Sequence, residues 1–274
     1  MTFIPVTENL SFGLLDEYAH LQHELKNSHF LREVELCIEE ISRLGINEPP
    51  HFHIFFVPRE RFHEYCDLPP SKKGHCITGI SPNGPGPRII LLVDQEIRTE
   101  LESFFLEPES TFSKSVIMHE LAHIVHGAFF GGLGQGVSEG FAELFVHYIM
   151  NIKVEGYSDR LRALPESEMY TLNGLLPKDM WNNPRLRKEK KLHFELNYMS
   201  AYLWMRGFID EVERKFCGND KIKALNFILH EFKKIDGELD IAVVYSKMAS
   251  LVGLTYTDLS SEISLQLKAQ KLVL

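Results

Sequence analysis

The spacing of apolar positions changes twice along the chain. From 14 to 44 apolar residues recur at helical intervals, with Val34, Ile38 and Ile41 on one stripe and Gly45 just beyond it. That pattern predicts two helical pieces stopped by the glycine. The period then shortens. HFHIFFV (51–57) and RIILLVD (88–94) are short runs rich in Ile, Val and Phe between Pro and Gly punctuation, and GHCITGI (74–80) is a weaker run of the same kind. The first two predict strands, and the third predicts an edge strand. SPNGPGP between the last two runs is a turn or loop.

The helical period returns from about 109. Pro108 and Ser110 mark a helix start, and Ile117, Leu121, Ile124 and Ala128 then share one apolar face. A second helix is expected over 137–151. Residues 153–192 contain several prolines and the charged run PRLRKEKK, so they read as an irregular connection that is a lobe boundary or a surface excursion. Beyond it, 193–216, 219–235, 239–252 and 257–271 read as helices. The order of elements predicts an α+β fold. One part, 1–152, holds N-terminal helices, a short sheet and the central helix pair; the other, 153–274, is mainly helical.

Composition narrows what such a fold can do. The 274 residues are 44% hydrophobic and carry a formal charge of −9. This surplus of acid argues against a general nucleic-acid binder, which needs surplus Lys and Arg to neutralise phosphates. No run is long and apolar enough to predict a membrane span, and the N-terminus has neither the basic start nor the apolar core of a signal peptide. The four cysteines form no CxxC pair, which fits a reducing compartment. A cytoplasmic location is expected, or export without a recognisable signal.

The chemistry concentrates in HELAHIVHGAFFGGLGQGVSEGFAE, from His119 to Glu143. His119 and His123 are i and i+4, so on a helix their rings stack about 40° apart around the axis and reach one ion. Zinc suits two imidazoles plus a carboxylate, and Glu120 beside the first His is placed to act as a general base. His126 sits a further ~4.5 Å along the axis and reads as a bystander. Phe129 occupies the last position of HExxHxxGxxH, which excludes the metzincin arrangement. Glu139 and Glu143, themselves i and i+4, are both open as the third ligand. The glycines follow a helix rather than a strand, so they read as a flexible reversal and not as a phosphate cradle.

HELAH followed by SEGFAE resembles the gluzincins, the thermolysin-like and aminopeptidase-like zinc metallopeptidases. The resemblance covers 116–146. It implies a zincin-like fold with a small mixed lobe, a short sheet and the active-site helix, a mainly helical C-terminal lobe, and a cleft between the lobes. It further implies Zn2+ as cofactor and a peptide or protein as substrate. His119, His123 and Glu139 would be the ligands, Glu120 the base that activates water, and Glu143 the acid that orients His119. Ser138 stands where the family often has Asn, and the connection after His123 is shorter than its common form, so by residue count Glu143 is the alternative ligand.

Members of the aminopeptidase-like branch donate a hydrogen bond to the reacting oxygen from a Tyr-x-x-Gly step. NYMSAYLWM puts Tyr198 in a similar position, with Tyr202 as its rival. The chain lacks the Gly-x-Met-Glu-Asn motif that reads a free amino terminus, which favours an endopeptidase. The alternatives are an aminopeptidase of the same fold and a non-catalytic protein that retains it. Two further features have plainer readings. HFH at 51–53 puts two His on one strand face, and Arg185, Arg187, Lys188, Lys190 and Lys191 form a solvated basic run.

Overall fold

The computed structural model describes residues 2–46, 51–64, 77–79, 88–92, 111–126, 135–153, 191–235, 240–259 and 261. Contacts gather the chain into two compact units, Met1–Ala128 and Phe129–Leu274. The division falls in the glycine-rich connection after HELAH, whereas the sequence pattern put a boundary at 152. The reason is that the helix carrying SEGFAE packs on helices that come later in the chain. Both units together give a mixed, helix-rich α+β chain.

The first unit is built on a sheet of β1 (Thr2–Pro5), β2 (Leu10–Leu14), β3 (Phe52–Val57), β4 (Ile77–Gly79) and β5 (Arg88–Leu92), in the order β1-β2-β3-β5-β4. β2, β3 and β5 run parallel, while β1 and β4 lie antiparallel at the edges. Parallel β2 and β3 need a crossover. It is supplied by a 3-10 turn (Asp16–Leu21), α1 (Gln22–Lys26) and α2 (His29–Arg43). β3, β4 and β5 match the three apolar runs. β1 and β2 are not among the predicted strands: Leu10, Phe12 and Leu14 do alternate with Ser11 and Gly13, but they run directly into Leu15 and the helical pattern behind it.

Ser28 begins α2 by accepting a hydrogen bond from Leu31 N–H at 3.1 Å. Gly45, at φ 70°, ends the helix, with its N–H on Ser42 O and that of Ile46 on Ile41 O. This is the left-handed stop expected of a glycine there. Phe30 of α2 lies against Phe12 and Phe56 of the sheet, with ring centroids 6.4 and 6.1 Å away. A buried ring of this kind contributes roughly 2–3 kcal/mol against about 1 for the cap, so packing holds α2 on the sheet. The opposite sheet face carries His51, His53 and Phe55. α3 (Thr111–His126) completes the unit and packs against α2. Leu121 and Ile124 of its predicted apolar face are fully buried; the side chains of Ile117 and Ala128 lie outside the described residues.

The second unit comprises α4 (Gln135–Leu144), α5 (Lys191–Val212), α6 (Lys221–Ile235) and α7 (Ile241–Leu251). α4 and α5 each run on into one π turn, Phe145–Ile149 and Glu213–Cys217. Phe141 and Phe145 of the α4 segment stack at 6.4 Å, and Phe141, Phe208 of α5 and Phe232 of α6 form a chain of rings at the same spacing. Trp204 carries this core on to Tyr245 of α7, 6.3 Å away. The expected helices after 193 are present through α7, and a helical turn follows at 256–259. Most of the 153–192 connection, most of the predicted 257–271 helix and the basic run before Lys191 lie outside the described residues. Among the described residues no helix is long and apolar enough to cross a membrane.

α4 meets α5 backbone to backbone at Gly140. A Cβ at this position would stand 2.5 Å from Ala201 O, 2.7 Å from its carbonyl carbon and 2.8 Å from Met205 Cγ. Two of these three atoms are main chain and cannot yield by changing rotamer. Gly140→Ala is expected to force the helices apart and lower stability by about 1–3 kcal/mol, the usual cost of overpacking. Urea unfolding of the full chain checks this, and Gly140→Val should cost more.

Candidate metal centre

Helical spacing brings His119 and His123 together on α3. Their Nε2 atoms are 3.2 Å apart and their ring centroids 4.8 Å, with the planes at 81°. Leu121, Ala122 and Ile124 are fully buried, and this apolar packing fixes the rotation of the helix about its axis. His123 and Glu120 are also buried, whereas His119 is half-exposed. Two nitrogens converging on one point fit either of two arrangements, a shared proton or a shared ion.

Glu139 bears on the choice. One ligand atom from each of His119, His123 and Glu139 lies within 4.8 Å of the others, and among the described residues these three alone form a group of metal-ligand size. Glu139 is 6% exposed, and a carboxylate withdrawn from water needs a positive partner. A histidinium or a metal ion supplies one. The nitrogen spacing of 3.2 Å admits a hydrogen bond between the rings and is equally compatible with an ion: two bonds of ~2.05 Å opened to the tetrahedral angle put their nitrogens about 3.3 Å apart. Two imidazoles and one carboxylate are also the donor set of a hydrolytic zinc site. The residues present therefore fit the metal that the sequence motif implies.

Glu143 lies one turn after Glu139 on α4, and its Oε2 is 3.3 Å from Nε2 of His147. His147 belongs to the π turn, and its Nδ1 lies 3.0 Å from Ile152 O. A carbonyl only accepts, so Nδ1 is the donor. The His147 ring also meets Tyr202 edge-on at 5.9 Å. Sequence reasoning passed over His147, although its signal is plain afterwards: Glu139, Glu143 and His147 continue one i, i+4 series. The π turn that carries it has no comparable signature.

Tyr198 is half-buried on α5, and Tyr202, one turn on, is buried. Burial pushes the Tyr202 phenol above its ordinary pKa, and Arg206 opposes the shift. Arg206 sits 3.2 Å from the centre of the Tyr148 ring and donates to Asp210 at 3.1 Å. Tyr148 donates to Glu213 at 2.7 Å, and Lys221 donates to the carbonyls of Tyr148 and Ile149 at 3.0 and 3.2 Å. Burial, and then the Glu213 contact, hold the Tyr148 phenol well above its usual range; burial likewise raises the Glu213 carboxyl. The two π turns are thus tied to each other.

The remaining sequence candidates have structural partners. Nδ1 of His51 lies 3.1 Å from Glu8 O, and its Nε2 lies 3.3 Å from Ser11 Oγ. His53 stacks on Phe55 at 5.8 Å. His126 is the last residue of α3, and its side chain lies outside the described residues.

Because the folded chain keeps the Tyr148 and Tyr202 protons at pH values where the unfolded chain gives them up, their contribution to stability is complete below about pH 10 and is lost above it. Urea midpoints should stay level from pH 7 to 9 and fall beyond about 10, and Tyr148→Phe should reduce that fall. Comparison with protein-family models, with curated proteins and with solved structures gives no match for this chain.

Proposed function

We propose that the chain is a zinc-dependent peptidase of zincin-like fold, cutting within peptide chains, with the metal held by His119, His123 and Glu139. The observation that carries this reading is the convergence of their three donor atoms within 4.8 Å, with Glu120 buried beside the pair. The HELAH and SEGFAE motifs support it from the sequence. When bound, the ion supplies a Lewis acid that polarises a carbonyl and acidifies water.

The chain's own residues do the rest. Glu120 takes the proton of the attacking water and hands it to the departing amine, so one carboxylate serves both halves of the reaction. Oxygen charge that develops on the scissile carbonyl needs a hydrogen-bond donor. Tyr198 fills that role, with Tyr202 as the alternative, and the raised pKa of Tyr202 keeps its proton available at neutral pH. Glu143 would orient His119, as in the family the motif resembles. The negative overall charge gives no reason to expect nucleic acid as a partner.

The test is metal analysis of the purified chain together with cleavage of a mixed peptide library. Glu120→Gln should keep its zinc and lose about 10²–10⁴-fold in kcat, the contribution of a general base. Zinc bound without cleavage by the unaltered chain would replace the enzyme reading with that of a binding protein.

Ligand assignment is tested separately. Glu139→Ala should nearly abolish zinc retention, while Glu143→Ala weakens it by roughly 10- to 100-fold, as for loss of an orienting partner. The reverse order would make Glu143 the ligand.

A further inference from the structure

On the α4 segment, Glu139, Glu143 and His147 follow one another at intervals of four residues. Two carboxylates at i, i+4 repel each other, and more strongly as water is excluded. Glu139 is 6% exposed, and the side chain of Glu143 is 15% exposed. His147 gives the second of these carboxylates a fixed neighbour. Its Nε2 meets Oε2 of Glu143 at 3.3 Å. The ring cannot swing away, because Nδ1 is anchored on Ile152 O at 3.0 Å and Tyr202 closes on its edge at 5.9 Å. Ile152 O is itself held in place, since the Ile152 N–H bonds Val146 O at 3.0 Å across the π turn. The backbone of the π turn therefore fixes His147, and His147 fixes the Glu143 carboxylate.

We propose that His147 is a positioning residue for the metal centre and acts through Glu143. The inference rests on the reading that His119, His123 and Glu139 hold zinc and that Glu143 is not a ligand. It requires His147 to influence metal affinity only while Glu143 is present.

The experiment is chelator competition for zinc on the full-length chain, with thermal unfolding of the metal-free protein alongside. His147→Phe keeps the ring against Tyr202 and removes both nitrogens. It is expected to weaken zinc binding by about 10-fold or more, in the range for losing an orienting partner. His147→Gln, which keeps a donor for Glu143, should lose less. In a Glu143→Ala background His147→Phe should cause no further loss, because coupled residues are not additive. A merely structural histidine would lower the unfolding temperature equally in both backgrounds and leave the affinity losses multiplicative. Unchanged affinity in His147→Phe, equal losses in the Phe and Gln variants, or multiplicative losses in the double variant would each overturn the inference and leave the metal reading standing. Absence of zinc binding by the unaltered chain would overturn both. If His147→Phe does not fold, His147→Gln alone decides, with and without Glu143→Ala.

Discussion

The approach of α4 to α5 at Gly140 is the constraint on which the helical unit depends. Main chain there meets main chain with no room for a methyl group, so neither rotation nor sliding of α4 is available without moving Ala201. The residues on either side of the glycine inherit that rigidity. Phe141 turns into the aromatic core that joins four helices, and Glu139 turns out of it. On the proposed reading of Glu139 as a ligand this support has a use, since an anion free to swing would lose more entropy on binding a metal than one already aimed. The glycine of SEGFAE is thus a packing residue.

The same division of labour holds on α3. Its buried apolar residues set the helix rotation, and the two imidazoles follow from that rotation with their Nε2 atoms at a chelating distance. The cost of this economy is polar burial on α3, where Glu120 and His123 are both withdrawn from water, which an apolar surrounding tolerates only where they find partners.

Much of this was readable from the chain. The strands at 52–57 and 88–92, α2 with its glycine stop, and the helix carrying HELAH all follow from local periodicity and capping, which act over a few residues. β2 escaped because its alternation lasts only from Leu10 to Leu14 and merges into a helical pattern. The His119 and His123 pairing was legible because i, i+4 geometry is local. The role of Gly140 was not, because it depends on Ala201, sixty-one positions away in the sequence. The π turns were also hidden: they arise where a helix end is drawn into tertiary contacts, here Tyr148 with Glu213 and Lys221 with two carbonyls.

Those π turns also set a register. A π turn holds one residue more than the α-helical turn it replaces, so each can be viewed as a single-residue insertion absorbed at a helix end. Both occur in the same unit, and each is closed by residues in left-handed conformation, Asn151 after the first and Gly218 with Asn219 after the second. With that residue removed, the pairing of Tyr148 with Glu213 and the Ile152 carbonyl that holds His147 would fall out of register. One residue at each end thus decides whether the two helix ends are joined.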